Sequence, residues 1–268
     1  MSEILDLRDK ADDSDPIPVH VSIEDGLGVD QSQSNVERAG RHVLILPTAG
    51  TGTHMIDFEN HPVAVGSILH VQPSQVHRFD SVVSLRAFIV SIAASVCPLG
   101  LFEPSRPHPL VDLGSSAAVV NAIVEDLAVE QQRTRRDDDV MRAGAVYLLR
   151  HVARDRTETP IVRSTHDELL RSFRVHVEQR FSQTRSVSEY ASSIGTSTKT
   201  LARASTSLTG LAPKEIVDQR VVLEAKRRLA ESSESIASIG ESLGFSEATN
   251  FTKFFVRMTG QTPHEFRR

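Results

Sequence analysis

The chain has 268 residues, 39% of them hydrophobic, with a formal net charge of -5 and a single cysteine, which is room for one large domain or two ordinary ones with real cores. One cysteine excludes an internal disulfide and a cysteine-clustered metal site, and Cys97 between Val96 and Pro98 reads as a small core residue. No run approaches the ~20 apolar residues of a membrane helix, and the acidic start MSEILDLRDKADDSDP lacks the order of a signal peptide, so a cytoplasmic protein without membrane contact is expected.

Residues 1–34 are rich in acids, Ser and Gln, which predicts a flexible arm. From 40 to 91, apolar bursts such as RHVLILP, HPVAVGSILHVQP and SLRAFIVSIA are broken by turn residues, predicting the short strands of a sandwich or small barrel. Val120, Ile123, Val124 and Leu127, then Val140, Ala143, Val146 and Tyr147, recur at spacings of three and four and predict two amphipathic helices between 117 and 153. The aperiodic RDRTETPIVRST at 154–165 reads as a linker. After it come short helical segments opened by serines, with one longer helix around PKEIVDQRVVLEAKRRLAES.

Charge divides at the same place. Residues 166–268 hold 15 Lys+Arg against 12 Asp+Glu, a balance of +3, and the remainder holds 15 against 23, a balance of -8. A polyanion is the partner such a basic C-terminal part suits.

The C-terminal part is also written twice. TGLAPKE at 209–215 returns as TGQTPHE at 259–265, and ahead of these phrases Val187 aligns with Ile236, Ala191 with Gly240, Gly195 with Gly244 and Ser197 with Ser246. Each copy reads as a helix, a turn at Gly and a capped second helix, which is a helix-turn-helix. The small residue at 191 or 240 lets the two helices cross closely, and the second helix of such a unit lies in the major groove of double-stranded DNA.

IASIGESLGFSEATNFTKFFVRMTGQTPHEFR resembles the signature of AraC/XylS-type transcription regulators, and the likeness covers 169–268. It implies a seven-helix DNA-binding domain, here 166–268, whose central helix at 215–230 holds two recognition helices ~34 Å apart. Carried over by position, the first presents Thr198, Lys199, Ala202 and Arg203, and the second Glu247, Thr249, Asn250 and Lys253. Arg and Lys can donate to guanine and Asn can pair with adenine; solvated surface charge is the alternative for Arg203 and Lys253. Leu201, Phe251, Phe254 and Phe255 fall on the core side. Ala204 and Ser205 stand where the family usually has a large aromatic, and Tyr190 where Leu is common, so a loosely packed first unit is expected. Gly240 replaces a favoured Ala at ~1 kcal/mol of helix propensity.

GSILHVQPSQVH at 66–77 resembles the second half of a cupin barrel, the domain that many AraC-type regulators use to sense a small molecule. The fold class implied is multidomain α+β: a cupin-like barrel with two helices over 35–153, then the all-α DNA-binding domain. Arg41, His54 and His77 are the effector-pocket candidates. His54, Glu59 and His77 make only part of a cupin metal set, with Ile56 near the place of a missing His, so no metal, cofactor or catalytic residue is expected. Two other readings stay open, a barrel that only dimerises and a metal-dependent cupin enzyme fused to a DNA-binding domain. The helices at 117–153 either dimerise, as the resemblance implies, or pack on their own barrel. The partners implied are promoter DNA, an unidentified effector, RNA polymerase and a second copy of the chain.

Overall fold

A computed structural model describes residues 17–27, 36–102, 109–155 and 165–268. The chain forms two compact units, the second taking in Pro160–Arg268.

The first unit is a sheet with two helices. Strands β1 (Val19–Leu27), β2 (Glu37–Arg38), β3 (His42–Ile56), β4 (Glu59–Ala64), β5 (Ser67–Val71), β6 (Val76–Ile92) and β7 (Leu110–Asp112) run in the order β1-β6-β3-β5-β7, with β2 on β6 and β4 on β3. Every pairing is antiparallel, as adjacent strands with short connections favour. The period of two sorts β3 between two cores. Leu44 and Leu46 join one cluster, while Val43 and Ile45 join another on the opposite face with Ile56, Leu69, Leu85 and Ile89.

Helices α1 (Ala117–Gln131) and α2 (Asp138–Asp155) cover the first face through Val120, Val124, Leu127, Met141, Ala145 and Leu148. They cross closely, because a Cβ on Gly144 would lie 2.7 Å from a Leu127 methyl. Of the two readings left open for these helices, packing on their own sheet is present within a single chain.

The arm expected over 1–34 is corrected for Val19–Leu27, which is β1. Val19 is fully buried, and β1 pairs along β6 from Val19 opposite Ile92. Its Val-x-Val-x-Ile alternation is a strand signal that the acids around it obscured; residues 1–16 and 28–34 lie outside the described residues. The linker expected at 154–165 also narrows. Arg154 and Asp155 close α2, Thr165 opens the next helix, and 156–164 lie outside the described residues.

The second unit is all helical: α3 (Thr165–Arg180), α4 (Val187–Ser193), α5 (Thr198–Thr209), α6 (Pro213–Glu231), α7 (Ile236–Ser242), α8 (Ala248–Thr259) and α9 (Pro263–Arg267). One core joins Phe173, Tyr190, Leu201, Val217, Val221, Ile239, Phe251 and Phe255. The repeated phrase is a stop-and-start device for helices. Thr209 and Thr259 each return their hydroxyl to a carbonyl one turn back, of Ser205 and Phe255, at 2.8 Å. Gly210 and Gly260 then adopt φ of 74° and 80°, which a side chain disfavours. Pro213 and Pro263 open the following helices, and Glu215 and Glu265 accept the amides of Ala212 and Thr262 at 2.7 Å.

Central helix α6 is tied to α3 by a bidentate pair. Arg220 donates to both Glu178 carboxylate oxygens at 2.6 and 2.7 Å, lies over the Phe181 ring and reaches Glu224 at 3.3 Å. Burial disfavours the Arg220 charge, and the bonds and charges of Glu178 and Glu224 more than offset it, leaving the guanidinium above its ordinary range.

The small residues of the first helix-turn-helix, read in the sequence as a sign of loose packing, are enclosed in its core. Ala204 and Ser205 are fully buried, and the first helix of the unit carries the aromatic Tyr190. Its ring is also fully buried and meets Phe173 edge to face, while Ser205 donates to the Leu211 carbonyl at 2.7 Å.

Candidate nucleic-acid interface

In each unit a glycine turn aims the second helix, and three of the four helices carry a side-chain cap. Ser186 and Ser197 accept the amides of Glu189 and Thr200 at the starts of α4 and α5, and Ser235 does the same for α7. At α8 the expected cap at Ser246 is displaced by one residue. Glu247 holds the N-cap position and makes no side-chain cap bond.

Gly195 and Gly244 turn the chain with φ of 69° and 77°. Their surroundings differ. A Cβ at 195 would meet nothing within 4 Å, whereas one at 244 would lie 2.5 Å from the Ser182 carbonyl oxygen. The loop between α3 and α4 therefore sits directly on the turn of the second unit. Gly240 has its own reason: a Cβ there would lie 2.9 Å from that of Phe251, so α7 and α8 approach more closely than Ala permits.

The core sides of α5 and α8 are set by Leu201, Ala204, Phe251, Phe254 and Phe255, all buried. Thr198, Lys199 and Arg203 on α5, with Thr249, Asn250 and Lys253 on α8 and Glu247 at its cap, are exposed, and Ala202 is half-buried. Each helix thus offers one polar face, with the residues at helical spacing along it. Asn250 and Lys253 line a cleft of about 440 Å³ together with Arg185, Lys214, Phe245, Phe254 and Arg257.

Three of those cations are additions to the residues expected from the sequence. Arg185 lies between α3 and α4, its guanidinium carbon 3.7 Å from the Phe245 ring centre, and it donates to the Gly244 carbonyl at 3.1 Å. Burial pulls this guanidinium below its ordinary range, with Asp218 opposing and Arg257 adding to the effect. Lys214 and Arg257 share the buried carboxylate of Asp218, with Arg257 at 3.4 Å. Arg257 follows Lys253 by one helical turn, a spacing legible in the sequence. Arg185 carried no such signal, because its partners are about 60 positions further on.

In the first unit, His54 and His77 come together. The two are buried, with His54 Nε2 3.1 Å from His77 Nδ1 and the Phe79 ring set edge-on to His54 at 4.4 Å. Desolvation lowers both, His77 to about 4 despite the pull of Asp57, and His54 is pushed further down by the charges of His77 and His61. His54 Nδ1 has no hydrogen-bond partner.

Arg41 is not brought to this pair. It precedes β3, where His42 lies opposite Ile92, while His54 lies opposite Phe79 at the far end of the same ladder. Arg41 donates instead to the Ile17 carbonyl at 2.7 Å. His70 bonds His42 at 2.8 Å. Among the described residues no three His, Cys, Asp or Glu side chains gather as a metal site. Among the same residues no helix is long and apolar enough to cross a membrane.

Residues 190–268 match the helix-turn-helix domain family. Over 233 residues, 84% of this chain and 83% of the relative, the sequence is 21% identical to the HTH-type transcriptional activator RhaR of Mannheimia succiniciproducens. It is 23% identical over 238 residues to RhaS of Pectobacterium carotovorum subsp. carotovorum, covering 84% of each chain. A shorter stretch of 59 residues, 22% of this chain and 24% of the relative, is 36% identical to the uncharacterized HTH-type transcriptional regulator YobQ of Bacillus subtilis. Among solved structures, ToxT from Vibrio cholerae O395 aligns over 93% of this chain and 97% of its own, at 10% identity and a TM-score of 0.46. The likeness to AraC/XylS-type regulators read from the sequence is borne out by the matched domain and these relatives.

Proposed function

We propose that this AraC/XylS-type DNA-binding transcription regulator reads two successive major-groove segments with α5 and α8, and that its N-terminal unit senses a small molecule. The observation that carries the reading is the pair of helix-turn-helix units in one compact domain, each with its second helix presenting a polar outer face. Thr198, Lys199, Ala202 and Arg203 read one segment, and Glu247, Thr249, Asn250 and Lys253 the other. Arg203 and Lys253 donate to guanine edges, and Asn250 pairs with adenine.

The sensing role rests on the buried His54–His77 pair beside an apolar sheet face. Two neutral imidazoles, one with a free nitrogen, suit a small ligand that hydrogen-bonds without carrying a full charge. Arg41, beside the other end of β3, is left out of that proposed site. Homodimerisation through the N-terminal unit, a cytoplasmic setting, contact with RNA polymerase and the absence of enzymatic activity complete the proposal.

Mapping the DNA bound by the full chain across its genome, followed by titration of the recovered site with single-base changes, tests the reading. Two clusters of sensitive base pairs about one helical turn apart are expected. A single cluster would sink the two-helix reading. Binding that ignores sequence would sink specific recognition altogether.

A further inference from the structure

The cleft beside Asn250 and Lys253 collects charge in a way that base reading alone does not require. Its four cations come from three different places: Arg185 from the loop ahead of α4, Lys214 from the first turn of α6, and Lys253 and Arg257 from α8. One carboxylate, Asp218, stands behind them, shared by Lys214 and Arg257. Four cations facing one cleft of about 440 Å³ with one carboxylate behind them make a locally positive surface that favours an anion.

The positions are also fixed in advance. Arg185 is pinned by the Phe245 ring and the Gly244 carbonyl, and Asp218 orients its two partners. Lys214 and Arg257 keep free donors, since an ammonium has three N–H groups and a guanidinium five.

We propose that this cleft seats one backbone phosphate of the bound duplex, gripped by Lys214 and Arg257, with Arg185 closing the side toward the first helix-turn-helix. The inference rests on the DNA-binding reading above and adds a contact between the two reading helices that carries no sequence information. Such a contact sets register, so that α5 and α8 meet their base pairs together.

The test measures binding of the full chain to a mixed-sequence DNA duplex across a salt series. Each phosphate contact contributes about 0.9 to the slope of log affinity against log salt. Lys214→Gln and Arg257→Gln each change an exposed cation, and Arg135→Gln, an exposed residue of the N-terminal unit, makes the same change in net charge elsewhere. Each cleft variant is expected to lose about threefold less affinity than the wild type when salt rises fourfold. Arg135→Gln should follow the wild type, and in a panel of single-base variants of the mapped site the cleft variants should keep the wild-type order of preference. Equal slopes for the cleft variants and the wild type would overturn the phosphate seat while leaving DNA binding intact. So would a slope change that Arg135→Gln reproduces, or a loss confined to particular base pairs. A wild-type chain with no salt-dependent binding would overturn the DNA-binding reading itself.

Discussion

Tyr190 meets Phe173 edge to face, ring centres 5.6 Å apart at 86°, and donates its hydroxyl to the Thr184 carbonyl at 3.0 Å. This contact is the support of the first helix-turn-helix. Tyr190→Ala should destabilise the protein by ~3–5 kcal/mol, as loss of a buried aromatic does, and Tyr190→Phe by about 1 kcal/mol for the hydrogen bond. Urea unfolding measures both. A loss under 1 kcal/mol for the alanine variant would return the first unit to the loose packing its sequence suggests.

With both units held by aromatics, the two reading helices should discriminate bases comparably. Arg203→Ala, Asn250→Ala and Lys253→Ala are each expected to weaken operator binding by roughly 1–3 kcal/mol and to relax preference at one base pair. Titration of each variant against single-base operator changes at fixed salt gives the answer. A uniform loss for Arg203→Ala would mean it meets backbone, not bases.

The two turn glycines should respond unequally to the same substitution. Gly195→Ala meets only backbone strain, ~1–2 kcal/mol, because the space around it is open. Gly244→Ala adds a collision with the Ser182 carbonyl oxygen and should be distinctly worse. Equal melting temperatures for the two variants would contradict the seat of the α3–α4 loop on the second turn.

Acid should weaken the N-terminal unit. His77, depressed from 6.5 to about 4, stays neutral in the folded chain while the unfolded chain takes up a proton. Stability is therefore full above pH 6.5 and falls as pH drops toward about 4, by on the order of 3 kcal/mol for this group. His54 adds to the fall in the same direction. Denaturant unfolding at several pH values, compared with His77→Gln, reads the effect. A variant with the wild-type pH slope would show that the imidazole is not what titrates.

Much of the second unit was legible because its determinants are local. Phe251, Phe254 and Phe255 fall on one side of a helix by spacing alone, and the Thr-Gly and Pro-x-Glu of each repeated phrase are stop and start signals within seven residues. The failures share a non-local cause. Val19–Leu27 is a strand by virtue of β6, which lies far along the chain. Tyr190 supports the first unit through Phe173 on α3, and Arg185 matters through Gly244 and Phe245. Arg41 was grouped with His54 and His77 without a register to show that β3 holds them at opposite ends.

The Glu178–Arg220 pair bears on how control reaches the DNA. The first described helix of the second unit, α3, opens at Thr165 and is clamped to α6, the helix between the two readers in the chain. A pull arriving along the backbone meets a strut, not a hinge. Separating α3 from α6 would strip the half-buried Arg220 guanidinium of both oxygens of Glu178, a bond of the stronger, charge-assisted kind. Within the second unit, α3 and α6 are therefore one braced pair.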